Sequence, residues 1–84
     1  IDVLSFLKLT DKKFDVIFAD PPYDIKEEKY YEIINIIFKN KILKKDGLLI
    51  IEHSSKTRIN QHNFFLENRK YGDSNFSFYK YINN

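Results

Sequence analysis

The chain has 84 residues, enough for one small domain, and it balances 14 Lys and Arg against 12 Asp and Glu for a formal net charge of +2. That charge neither demands nor excludes a polyanionic partner. Residues 1–42 carry seven basic and eight acidic groups and residues 43–84 seven and four, so a phosphate-facing surface is expected in the second half. With no cysteine there is neither a disulfide framework nor a thiolate metal site, and two histidines alone give a metal little support. The apolar runs are too short to span a membrane and no signal-peptide pattern opens the chain, so a cytoplasmic protein is expected, with no membrane partner. Methionine is absent, and the chain reads as one partial domain, 1–84, of something longer.

In chain order, "DVLSFLKL" places Val3, Leu4 and Leu7 on one face and predicts a short helix. "FDVIFA" is a nearly continuous apolar run, predicting a strand buried on both faces of a parallel sheet. Two prolines then stop it. From Asp24 the period becomes helical, with Tyr30, Ile33, Ile34 and Ile37 on one stripe; Asp24 is the expected N-cap and Glu27 its capping-box partner. The helix is expected to end near Lys41, with Asp46 and Gly47 as a turn before a second buried strand, "LLIIEH". Strand, helix and strand make a parallel βαβ unit. "SSKTRINQHN" reads as a loop. "FFLENRKY" and "NFSFYKYI" around Gly72 and Asp73 predict a terminal antiparallel hairpin, with Phe76, Phe78, Lys80 and Ile82 alternating against Ser77, Tyr79 and Tyr81.

The sharpest local feature is "ADPPYD". In an α/β sheet, ligands bind beyond the carboxyl ends of the strands, where Asp20 to Tyr23 are expected. Adjacent prolines fix two φ angles and remove two N–H donors, which preorganises the neighbouring acceptors. The Asp20 carboxylate and Pro21 carbonyl can accept hydrogen bonds from an amino group while Tyr23 stacks on the planar ring that bears it. As an ordinary strand-ending turn the same residues would do nothing chemical, and a tetrapeptide this specific in this position favours function.

The tetrapeptide resembles the motif of AdoMet-dependent amino methyltransferases: Asn or Asp, two prolines and an aromatic residue at the end of the fourth strand. With "FDVIFADPPYD", "GLLIIEHS" and "ENRKYGDSNFSFYKY" around it, the whole chain resembles the C-terminal half of bacterial RsmD-type 16S rRNA (guanine-N2) methyltransferases. The resemblance implies a Rossmann-like α/β sheet of parallel strands closed by an antiparallel hairpin. It also implies S-adenosyl-L-methionine as methyl donor, rRNA or an assembling small ribosomal subunit as partner, and a monomeric intact enzyme. Asp20, Pro21, Pro22 and Tyr23 would hold a flipped guanine N2 amine in line with the donor methyl, with Asp20 also beside the cofactor. Asp2 would meet the cofactor adenine, where a bare helix cap is the competing reading.

The family's Gly-rich loop and ribose-binding acid lie upstream of the stretch it matches, and Gly47 and Gly72 belong to no such loop. The chain alone is therefore expected to bind AdoMet weakly or not at all, and to be inactive alone. Truncation would also leave "FDVIFA" with an open edge. DNA adenine-N6 methylation, protein glutamine methylation and a non-catalytic packing module are the alternatives; the tail and the leading Asp argue against the first two. His53 beside Glu52 is more readily a structural hydrogen-bonding residue than an acid or base. Lys56, Arg58, Arg69 and Lys70 can meet phosphates or merely solvent, and Phe64, Phe65, Phe76 and Phe78 read as core and hairpin packing.

Overall fold

The computed structural model describes residues 12–21 and 25–82. The predicted helix over "DVLSFLKL", and Asp2, Pro22, Tyr23 and Asp24, lie outside the described residues.

Four strands and one helix follow in the order β1 (Phe14–Ala19), α1 (Glu27–Lys39), β2 (Leu43–Ser54), β3 (Phe65–Tyr71) and β4 (Ser74–Tyr79). They form one mixed sheet ordered β1-β2-β4-β3. β1 and β2 are parallel, as the βαβ reading requires, and β4 runs antiparallel to both β2 and β3. The hairpin turns through Gly72 at φ 61° and Asp73. Glycine in the first central position with positive φ is what a tight type II′ turn needs.

The helix begins later than its sequence predicts. Its N-cap position is Lys26, which makes no side-chain cap. Glu27, the first residue of the helix, accepts a hydrogen bond from the Arg58 backbone N–H at 3.2 Å. Glu27 and Glu28 in the first turn and Lys39 in the last still complement the helix dipole. At the other end the Lys41 N–H donates to Phe38 O and the Ile42 N–H to Ile37 O, the two bonds of a Schellman motif. Its left-handed position, normally glycine, is taken by Lys41 at φ 55°.

Asp46 and Gly47 do not form the predicted turn between helix and strand; β2 runs through them. Phe14 pairs with Leu43 but Val16 with Leu48, so two steps along β1 match five along β2 and the "KKDG" segment bulges from the ladder. The bulge depends on Gly47, where a Cβ would lie 2.8 Å from both Asp15 O and Leu43 Cδ1.

The helix stripe of Tyr30, Ile33, Ile34, Ile37 and Phe38 packs on one sheet face, where Leu49, Ile51 and Tyr79 are buried. On β4 that inner face is Asn75, Ser77 and Tyr79. Phe76 and Phe78 are half-buried on the opposite face, so they belong to hairpin packing rather than to this core: Phe76 meets Phe18 and Tyr71, and Phe78 lies under the Arg69 guanidinium. β1 is correspondingly not buried on both faces. Val16 is 58% and Phe18 55% exposed, because among the described residues only one face of the sheet carries a helix.

Candidate functional site

Parallel β1 and β2 point their carboxyl ends the same way, so Asp20 and Pro21 emerge beside Glu52 and His53: Ala19 pairs with Ile51, one step before each. Asp20 is exposed and Pro21 half-buried. The strand is thus stopped with its carboxylate in solvent at the rim where an α/β sheet receives ligands.

Next along this rim, His53 is only 2% exposed. Its Nε2 lies 2.7 Å from Ser77 Oγ and its Nδ1 3.0 Å from Ser54 O. The Ser54 carbonyl can only accept, so Nδ1 carries the hydrogen and Nε2 accepts from the Ser77 hydroxyl. Asn68 Nδ2 donates to the same hydroxyl oxygen at 3.0 Å. Burial pulls the His53 pKa below its ordinary value against the raising effect of the Ser54 and Thr57 backbone contacts. A neutral ring committed on both nitrogens is a structural element of the rim.

These residues form the floor of a cavity of about 170 Å³ whose walls include Thr57, Arg58, Ile59, Asn60 and Asn75. The predicted loop encloses it. That loop is fastened at four places: Tyr79 Oη donates to Ile59 O, Tyr31 Oη accepts from the Gln61 N–H at 3.0 Å, His62 Nε2 meets Asn35 Oδ1 at 2.9 Å, and Glu27 holds Arg58. Burial pushes the Tyr79 hydroxyl pKa up, which keeps it a neutral donor. A larger cavity of about 390 Å³, among Lys13, Lys41, Lys45, Phe64 and Tyr81, lies at the amino ends of β1 and β2, away from Asp20.

Of the basic residues singled out from the sequence, Arg58 lines the rim cavity and Lys56 is exposed on its loop, whereas Arg69 pairs with Glu67 on β3 and Lys70 is exposed there. Sequence reasoning missed Asn68, Asn75 and Ser77. The available signal was parity: on an alternating strand, Asn75 and Ser77 share the face of Tyr79, and polar residues in phase with a buried aromatic mark a polar pocket in the core. Among the described residues no cluster of His, Asp and Glu could hold a metal, and no helix is long and apolar enough to cross a membrane.

The residues fit a methyl donor on one side only. Asp20 presents an acceptor at the rim, but Gly47 sits in a bulge and Gly72 in a hairpin turn, so neither provides the glycine-rich strand-to-helix loop that such a cofactor needs.

Comparison with known proteins gives this arrangement a family. Residues 2–80 match the family described as Conserved hypothetical protein 95. A Haemophilus influenzae protein provisionally titled a methylase, HI0767, superposes with a TM-score of 0.71 at 25% identity, over 90% of this chain and 48% of its own. The Escherichia coli protein yhhF, provisionally titled a methyltransferase, shares the fold with a TM-score of 0.72 at 20% identity, over 94% and 44%. A conserved hypothetical protein of Streptococcus pyogenes does so with a TM-score of 0.79 at 18% identity, over 94% and 50%. The chain therefore spans about half the length of these solved relatives. No curated protein matches it.

Proposed function

The chain belongs to the family described as Conserved hypothetical protein 95, the RsmD family, and from that membership we propose that it is the amine-holding half of an AdoMet-dependent RNA methyltransferase. The substrate is the exocyclic N2 amine of a guanine in 16S rRNA, taken free or in an assembling small subunit. The observation that carries the reading is the emergence of Asp20 and Pro21 at the carboxyl end of β1, with the Asp20 carboxylate exposed to a ligand.

An aromatic amine is a poor nucleophile because its lone pair is delocalised into the ring. The Asp20 carboxylate and Pro21 carbonyl accept its two N–H bonds, which orients the amine and favours a pyramidal nitrogen with an available lone pair. Two fixed φ angles at Pro21 and Pro22 make this orientation inexpensive in entropy. Tyr23 packs on the base and partly offsets the cost of unstacking it. When bound, AdoMet would supply an electrophilic methyl group; of the residues in this chain, Asp2 and Asp20 would border it. Asp20 is the proton acceptor once the amine is alkylated.

The test is methyl transfer to 16S rRNA by the intact protein. Asp20→Ala is expected to lower kcat/KM by about 10²-fold or more, and Tyr23→Ala to raise KM with a smaller effect on kcat. Full activity in both variants would refute the assigned roles.

A further inference from the structure

Among the residues that line the rim cavity, Asn75 combines burial with an amide that the described hydrogen-bond network does not engage. Ser77 Oγ, His53 and Asn68 Nδ2 hydrogen-bond one another and form a fixed wall. Asn75, opposite His53 in the β2–β4 ladder, is only 7% exposed and lines the same cavity, yet its carboxamide makes no hydrogen bond to a described residue. Its amide is not a buried orphan: the polar atoms reach the solvent that fills the cavity, where a ligand can meet them.

We propose that this cavity is a binding pocket for a nucleobase, read by the Asn75 carboxamide. A primary amide presents a donor and an acceptor side by side in one plane, the pattern that a base edge complements; no single-function ligand uses both. The cavity, about 170 Å³, holds several waters' worth of space, and its floor is fixed by the hydrogen bonds among His53, Ser77 and Asn68. Among the described residues no carboxylate lines it, and the Glu27 carboxylate is engaged by the Arg58 backbone N–H. Arg58, exposed on the cavity wall, is placed to meet that strand's phosphate, and Ile59, 1% exposed, supplies apolar contact.

The occupant's place in the substrate follows from the sheet, and this step rests on the RNA methyltransferase reading. Asp20 ends β1 and Asn75 lies on β4, two strand spacings or roughly 10 Å away at the same end of the sheet. That suits a neighbour of the target nucleotide in an unstacked strand. The pocket would thus set sequence context around the modified base while the "DPPY" segment holds the base itself.

The ¹⁵N-labelled protein is titrated, without methyl donor, with AMP, GMP, CMP and UMP and separately with inorganic phosphate, and the side-chain NH₂ signals of Asn75 and Asn68 are followed by NMR. At least one nucleotide is expected to shift the Asn75 pair saturably while phosphate alone leaves it in place. Asn75→Leu is expected to weaken that nucleotide about tenfold or more while the backbone spectrum remains that of the folded protein. Asn75→Asp, which removes the donors at constant shape, is expected to change the preferred base. Phosphate reproducing the Asn75 shift, no response to any nucleotide, or unchanged affinity in Asn75→Leu would each overturn the proposal. Because the readout is binding and not turnover, a failed titration leaves the methyl-transfer reading intact. A failed methyl-transfer assay likewise leaves the pocket intact.

Discussion

His53 and His62 show how a side chain's surroundings decide its use. His53 is locked between Ser77 and Ser54. His62 meets Asn35 Oδ1 through Nε2 and accepts the Phe64 N–H at Nδ1. Burial lowers both pKa values from the ordinary 6.5. The unfolded chain, titrating near 6.5, therefore binds more protons than the folded one as pH falls through that value. Stability is expected to be full above about pH 7 and to decline on acidification until the folded rings are themselves protonated. The urea midpoint should thus be lower at pH 5 than at pH 7.5, and His53→Gln should reduce the difference; an unchanged midpoint would contradict this. At this scale "DPPY" was legible because two prolines after a buried run are locally unusual. Asn75 was not, because Asn and Ser in a hairpin strand read as solvent-facing until the strand's partner shows which parity is inside.

Elements were readable where periodicity was long, as in the Tyr30-to-Phe38 stripe, and misread where a local signal met a tertiary constraint. Asp46-Gly47 is a turn signal, but the Phe14 N–H bonds Ile42 O and Phe14 pairs with Leu43, drawing residues on both sides of the signal into the ladder and leaving a bulge. Gly47→Ala is expected to lower stability by about 1–3 kcal/mol, since its Cβ would press on Asp15 O and Leu43. The helix C-terminus offers the opposite case. Lys41→Gly would place the preferred residue at φ 55° while retaining the backbone carbonyl that Lys13 Nζ contacts at 2.7 Å. It should raise stability by about 1 kcal/mol, several degrees of melting temperature for a domain this size. A fall in melting temperature would show that the Lys41 side chain contributes more than its backbone strain costs.

For the whole molecule, sequence indicated the sheet and its hairpin but overstated how far β1 is covered. A continuous apolar run implies two covered faces; α1 covers one, and Val16 and Phe18 remain exposed on the other. β1 is also an outer strand of the sheet among the described residues. Apolar side chains beside an outer strand predict concentration-dependent self-association of this chain, suppressed by Val16→Lys with Phe18→Glu and detectable by sedimentation. A monomer at all concentrations would refute that.

We propose that Asp20 at the end of β1 holds an RNA amine for methylation. The most direct test is transfer of labelled methyl from AdoMet to 16S rRNA by the intact protein, beside its Asp20→Ala variant, with the modified nucleoside identified by mass spectrometry. N2-methylguanosine is expected from the parent protein, with a loss of about 10²-fold or more in the variant. Methylation of another nucleoside or of DNA, or an equally active Asp20→Ala protein, would contradict it.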